Sequence, residues 1–174
     1  MDFIFYISSL VAVAATLMVV TSRSAIRALL YLIVSLLAVA LVFFVLAAPL
    51  VAALEVIIYA GAIMVLFVFV VMMLNLGPPT AAEERQWLSP GGWIGPVVLG
   101  LILVAEVAYV LRHLPGGLPG GPAVPPVQVG AALFGTYLLG VELASLLLMA
   151  GLVGAYHLGR PEREEGWRSE REEE

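Results

Sequence analysis

The sequence predicts an all-α integral membrane protein with five transmembrane helices. Hydrophobic residues make up 62% of the 174 residues, a share well above that of an ordinary soluble domain. They form continuous runs of roughly 20 residues, the length that an α-helix needs to cross a bilayer. The alternating pattern of a β-barrel strand does not occur in these runs. The chain has no cysteine, which excludes thiolate catalysis and iron–sulfur ligation by its own side chains.

Hydropathy divides the chain into a five-helix transmembrane domain over residues 1–159 and a charged tail over residues 160–174. At about 1.5 Å per residue the third helix would extend roughly 39 Å, beyond the thickness of the hydrocarbon layer. We therefore expect this long helix to contain a kink or a π-bulge. The approximate spans are residues 3–20, 26–46, 51–76, 93–111 and 129–158.

The placement of arginine predicts the orientation of these helices. All the basic residues are arginines, and seven of the eight fall on one side of the predicted five-helix domain (residues 23, 27, 85, 160, 163, 168 and 171). Only Arg112 falls on the other side. The positive-inside rule then places the N-terminus outside and the C-terminus in the cytoplasm.

The connecting segments and the tail differ in composition. Thr80 and Glu83 have the spacing of a helix capping box within the cytoplasmic loop over residues 77–92. Glycine and proline dominate residues 114–126, which predicts an irregular outer loop. The tail holds seven of the thirteen acids, and it is either a solvated end or a docking strip for a soluble partner.

The third helix carries the most informative polar residues. Glu55 and Tyr59 lie four residues apart and so share a helical face, and Ala60, Gly61 and Ala62 follow at once. A carboxylate in hydrocarbon costs several kcal/mol and usually marks function, while a patch of small residues allows close approach and deformation. The residues 59–62 are therefore a candidate hinge. Alternatively, Glu55 extends to the outer interface and Tyr59 fills a packing gap.

Two further acids lie in the predicted spans. Glu142 lies near the middle of the fifth span, where Ser145 can share its face. This carboxyl is a candidate proton-path or gating group, along with Glu55 and Tyr59, or else a structural acid that joins helices by hydrogen bonds. Glu106 lies near the outer end of the fourth span, and we expect its side chain to extend to the membrane surface.

Stretches across most of the chain resemble a known family. They are RALLYLIVSLLAVALVFF (27–44), LEVIIYAGAIMVLFVFVVMMLNLG (54–77), ERQWLSPGGWIGP (84–96) and VELASLLLMAGLV (141–153). The chain resembles the subunit J family, of mitochondrial chain 6 type, of respiratory NADH:quinone oxidoreductase, complex I. The resemblance does not extend to the glycine–proline loop or to the acidic tail.

The resemblance implies a multi-pass subunit of the membrane arm in the bacterial inner membrane. It implies contacts with the small subunits A and K, with the quinone-site subunit and with the nearest antiporter-like subunit. FMN, iron–sulfur clusters and quinone would be bound by partner subunits and none by this chain. It also implies a change between α and π geometry around Tyr59, with Glu55 and Gly61 in the same signature and Glu142 matching an acid of the last span.

Three functions remain open. The first is a subunit without a redox centre that couples quinone reduction to proton movement through a deformable third helix. The second is a passive scaffold of the same complex. The third is an independent small ion or proton transporter, against which the odd number of spans counts, because it cannot be divided into two equal repeats.

Overall fold

The computed structural model describes residues 2–22, 24–73, 90–113 and 124–160. The predicted capping box of Thr80 and Glu83, the core of the glycine–proline loop and the tail beyond residue 160 lie outside these ranges. The described residues form helices and turns and contain no strand. The elements are α1 (Asp2–Thr21), α2 (Ala25–Val45), α3 (Pro49–Leu54), the π segment (Glu55–Ile63), α4 (Met64–Met73), α5 (Pro90–His113), α6 (Pro126–Leu133) and α7 (Leu138–Leu158).

Five helical stretches among these residues are long and apolar enough to cross a membrane. They are Phe3–Thr21, Ala25–Val45, Pro49–Met73, Trp93–His113 and Leu138–Leu158. The third is the longest at 25 residues and is built from α3, the π segment and α4 in succession. The predicted all-α class, the five spans and the irregular third helix are therefore confirmed.

The described residues separate into two units, one ending at Pro125 and the other beginning at Pro126. The first unit contains α1 to α5 and has its own apolar cluster, to which α1, α2 and α5 contribute. Small side chains allow these helices to pack closely, since Ala15 and Ala38 are fully buried. Gly95 of α5 lies against the ring of Tyr31 of α2, and a Cβ at this position would overlap the phenol hydroxyl. The cluster consists of Ile4, Val11, Ala38, Leu41, Val45, Leu103 and Val110.

Hydroxyl groups join α1 to α2 within the apolar surroundings. The Oγ1 of Thr16 and the Oγ of Ser35 lie 2.8 Å apart in a hydrogen bond. Both oxygens also lie within hydrogen-bonding distance of the backbone carbonyl oxygen of Ala12, at 2.8 Å for Thr16 and 3.1 Å for Ser35. Hydrogen bonds of this kind help to hold helices together where lipid removes the hydrophobic driving force between them.

A tight turn at residues 46–48 reverses the chain between α2 and α3. Ala47 has a φ of 60°, in the left-handed region, and its N–H donates to the carbonyl of Phe44 at 3.1 Å. The N–H of Ala48 donates to the carbonyl of Phe43 at 3.0 Å. These two bonds form a Schellman motif, which satisfies the last carbonyls of α2. Pro49 then starts α3 at a position where its missing N–H is not needed.

The single helix predicted over residues 129–158 is divided in the structure. Turn geometry occupies residues 134–137, between the end of α6 at Leu133 and the start of α7 at Leu138. The N–H of Tyr137 reaches back to the carbonyl of Ala132 at 2.9 Å, so the α-helical pattern is interrupted. Gly135 fits this turn because a Cβ there would lie 2.7 Å from the carbonyl oxygen of Ala131.

The left-handed conformation of Ala47 predicts a stability change of known sign. Ala47→Gly removes the steric penalty of this conformation and should stabilise the fold by about 0.5–1 kcal/mol. Ala47→Val should destabilise it by at least about 1 kcal/mol, because a β-branched residue is strongly disfavoured at positive φ. The midpoint of unfolding by SDS in mixed micelles measures both changes.

The matched control is Ala48→Val, because the φ of Ala48 is −111° and the residue precedes a proline. Equal destabilisation by valine at positions 47 and 48 would contradict the conformational explanation.

Candidate functional site

The π segment arises from a change of backbone hydrogen bonding within the third span. At its start the N–H of Glu55 donates to the carbonyl of Val51, four residues earlier, as in an α-helix. At its end the N–H of Met64 reaches the carbonyl of Tyr59, five residues earlier, as in a π-helix. All nine residues of the segment, EVIIYAGAI, lie in π geometry. The predicted hinge at residues 59–62 falls entirely inside it.

Gly61 is the residue whose size matters most to this geometry. A Cβ built on Gly61 would lie 3.1 Å from the carbonyl oxygen of Val56, tighter than an ordinary contact. In a π-helix the N–H of each residue bonds to the carbonyl of the residue five positions earlier, so that carbonyl lies close to the later residue. A side chain at Gly61 would therefore crowd the π form, whereas glycine permits it.

Glu55 and Tyr59 share this segment, as the sequence predicts. Glu55 is partly buried, and Tyr59 has 50% of its surface exposed. Within the described residues neither the Glu55 carboxyl nor the Tyr59 hydroxyl has a hydrogen-bond partner. A carboxyl and a phenol are both groups that can donate and accept protons.

An open apolar cleft of about 490 Å³ adjoins the start of the π segment. Residues of α2, α3 and α5 line it, together with Val56 of the π segment. The cleft gives the side chains around Val56 room to rearrange within the first unit. Its lining includes Leu37, Ala40, Phe44, Ala52, Val104 and Val107.

Glu142 belongs to α7 in the second unit. Its side chain is exposed among the described residues. The Ser145 hydroxyl donates to the backbone carbonyl of Glu142 at 2.7 Å and not to its carboxyl. The carboxyl therefore has no hydrogen-bond partner among the described residues.

The expectation for Glu106 is wrong. The side chain does not extend to the surface, because only 8% of the residue is exposed. Its Oε2 accepts a hydrogen bond of 2.8 Å from the hydroxyl of Ser8 on α1. The sequence position of Glu106 near the end of a span does not reveal that α1 covers it. The available signal was Ser8, a hydroxyl at comparable depth in the first span.

The His113 side chain contacts the preceding turn of its own helix. The His113 ring stacks on Tyr109 with centroids 4.1 Å apart, and its Nδ1 lies 2.8 Å from the Tyr109 carbonyl. Among the described residues no group of three histidine, aspartate or glutamate side chains is placed to hold a metal ion.

These features define a multi-pass helical membrane protein with acids and a phenol inside its spans and a π segment within the third span. The chain belongs to the family described as NADH-ubiquinone/plastoquinone oxidoreductase chain 6, which matches residues 15–158. The matched range contains Glu55, Tyr59, Gly61 and Glu142.

Relatives from several bacteria are similar over nearly the whole chain. The NADH-quinone oxidoreductase subunit J of Pseudomonas aeruginosa is 56% identical over 161 residues, covering 92% of this chain and 97% of the relative. That of Escherichia coli K12 is 53% identical, covering 94% of this chain and 89% of the relative. That of Buchnera aphidicola from Schizaphis graminum is 47% identical, covering 94% of this chain and all of the relative.

Proposed function

We propose that this chain is a membrane-arm subunit of proton-translocating NADH:quinone oxidoreductase that couples quinone reduction to proton movement. The π segment is the observation that carries the proposal. FMN, iron–sulfur clusters and quinone are bound by partner subunits, and this chain contributes a deformable helix and protonatable side chains. It has no redox centre of its own.

The coupling step is a change of the π segment between π and α geometry. A π-helix has more residues per turn than an α-helix, so a change of the segment to four-residue hydrogen bonding turns the following helix around its axis. α4 follows directly, and Met64 is its buried residue. Rotation of α4 therefore disturbs few contacts inside the chain, and the change also carries Tyr59 and Glu55 to new surroundings.

The exposed acid of α7 supports a place among other membrane subunits. No described residue of α7 is buried, and Glu142 lies near its middle. Because a carboxyl facing lipid costs several kcal/mol, a partner helix covers this position and supplies polar groups to Glu142. The partners are the small subunits A and K, the quinone-site subunit and the nearest antiporter-like subunit.

Substitution of Gly61 tests the coupling proposal. Gly61→Ala crowds the Val56 carbonyl and also raises α-helix propensity by about 1 kcal/mol, so both effects disfavour the π form. We expect quinone-linked turnover and proton pumping of the assembled complex to fall together by about fivefold or more. NADH oxidation by an artificial acceptor that bypasses the membrane arm should persist.

Gly100→Ala is the matched control, because it gives the same propensity gain in α5 but its Cβ meets nothing within 4 Å. Equal activity of the Gly61→Ala and Gly100→Ala complexes would refute the coupling role. Loss of the assembled complex with Gly61→Ala alone would favour the passive scaffold.

Substitution of Glu142 tests the role of the acid in the last span. Glu142→Gln keeps the size of the side chain and removes its titration, so fewer protons should move per NADH oxidised. Proton uptake by sealed vesicles, measured with a pH-sensitive dye, gives this ratio. Normal pumping with normal turnover would make Glu142 a structural residue. Ser145→Ala is the control, because it removes a hydroxyl that contacts the backbone of the same turn.

The arginine distribution supports insertion in the inner membrane with the N-terminus outside and the C-terminus in the cytoplasm. Ser22 and Leu46 lie just beyond opposite ends of α2. Single cysteines at these positions should react with an impermeant reagent from opposite sides of sealed vesicles, with Ser22→Cys labelled from the cytoplasmic side. Labelling of Ser22→Cys from the outside would reverse the proposed orientation.

A further inference from the structure

A carboxyl that the proposed function does not use lies buried between α1 and α5. Glu106 is 8% exposed and Ser8 is fully buried. The Ser8 hydroxyl donates to Oε2 of Glu106 at 2.8 Å. The second carboxyl oxygen, Oε1, is buried and has no hydrogen-bond partner among the described residues. Lipid and partner subunits can only increase this burial, because the exposure is that of the chain by itself.

Apolar residues lie on both sides of the Glu106 carboxyl along α1 and α5. Ile4 and Val11 lie about one turn on either side of Ser8, and Leu103 and Val110 lie about one turn on either side of Glu106. All four are buried members of the apolar cluster of the first unit. The Glu106–Ser8 pair is thus a single polar layer in an otherwise apolar contact between α1 and α5.

The charged and titratable groups of the packed helices do not neutralise an ionised Glu106. On α5 the nearest are Tyr109, Arg112 and His113, which are exposed at the end of the helix. On α1 the Tyr6 side chain is exposed. On α2, Arg27 and Tyr31 belong to the first two turns, and Tyr31 lies against Gly95, about three turns from Glu106 along α5. The rest of α2, from residue 32 to residue 45, contains no charged residue or histidine. An ionised carboxylate buried in this way, without a cation, costs several kcal/mol.

We propose that Glu106 and Ser8 form a proton-exchange site of the membrane domain, additional to Glu55, Tyr59 and Glu142. The carboxyl carries a proton in the packed state. When α1 and α5 separate enough to admit water to Oε1, Glu106 transfers this proton to a water molecule and becomes a carboxylate; closure reverses the transfer. In the packed state the Ser8 hydroxyl donates to Oε2, so the proton lies on Oε1, the oxygen that water reaches. After the transfer the same hydroxyl donates to the carboxylate, so the contact serves both states.

The link between this exchange and turnover rests on the proposed function. Infrared difference spectroscopy of the intact, lipid-reconstituted complex tests it, with NADH and quinone used to drive the redox change. We expect a carbonyl band of a protonated carboxyl that shifts in D2O and is lost in Glu106→Gln. The same variant should lower the number of protons pumped per NADH, while NADH oxidation by an artificial acceptor remains. A carboxyl region identical to that of the wild-type complex would overturn the proposal.

Ser8→Ala provides a second test that keeps the carboxyl, in case Glu106→Gln prevents assembly. Removal of the hydrogen bond should move the same carbonyl band, and an unmoved band would overturn the assignment to Glu106.

The outcome is separable from that of the coupling proposal. An unchanged spectrum in Glu106→Gln with uncoupling by Gly61→Ala removes only this inference. A lost band with normal turnover of Gly61→Ala keeps the Glu106 site and removes the π-segment role.

Discussion

Hydrocarbon offers no water to a backbone N–H or carbonyl, and the architecture depends on this constraint. The backbone hydrogen bonds of a spanning segment must therefore be satisfied within the protein, and an α-helix satisfies them within the segment itself. The third span meets the requirement with two bonding patterns, because the π segment replaces four-residue bonds by five-residue bonds without leaving the helix. The turn at Ala47 meets it by a Schellman motif. Irregular backbone is thus present where its polar groups remain paired.

The lipid surroundings also explain how the helices of the first unit pack. Lipid is as apolar as leucine, so burial of leucine gives little preference for one helix over another. Close approach and hydrogen bonds provide that preference instead. Ala15 and Ala38 bring helices near, Gly95 admits the Tyr31 ring, and the Thr16–Ser35 pair joins α1 to α2. The Ser8–Glu106 hydrogen bond joins α1 to α5 in the same way, but one of its partners is an acid, although a second hydroxyl would be enough for packing.

The sequence predicts the number of spans and the irregular third helix because hydropathy and length report directly on the bilayer. It also predicts Glu55, Tyr59 and Gly61 as candidate residues, because a carboxyl in hydrocarbon is unusual and a patch of small residues allows a helix to deform. It does not predict the division at residues 134–137, because hydropathy does not register the backbone preferences of Gly135 and Thr136. The burial of Glu106 depends on which helix covers which face, and no local pattern contains that information. The acid of the last span is predictable as a residue, but no local pattern in the sequence indicates which groups surround it.

The side chains of α4, MVLFVFVVMM, are apolar on every face of the helix. Different rotations of this helix therefore present nearly the same chemistry to lipid or to a neighbouring helix, and the solvation free energies of its rotational states are almost equal. In the proposed change of the π segment, the solvation of α4 therefore adds little to the difference in energy between the two states. The change can then be driven by a small input of energy, because no large solvation term from α4 opposes either direction.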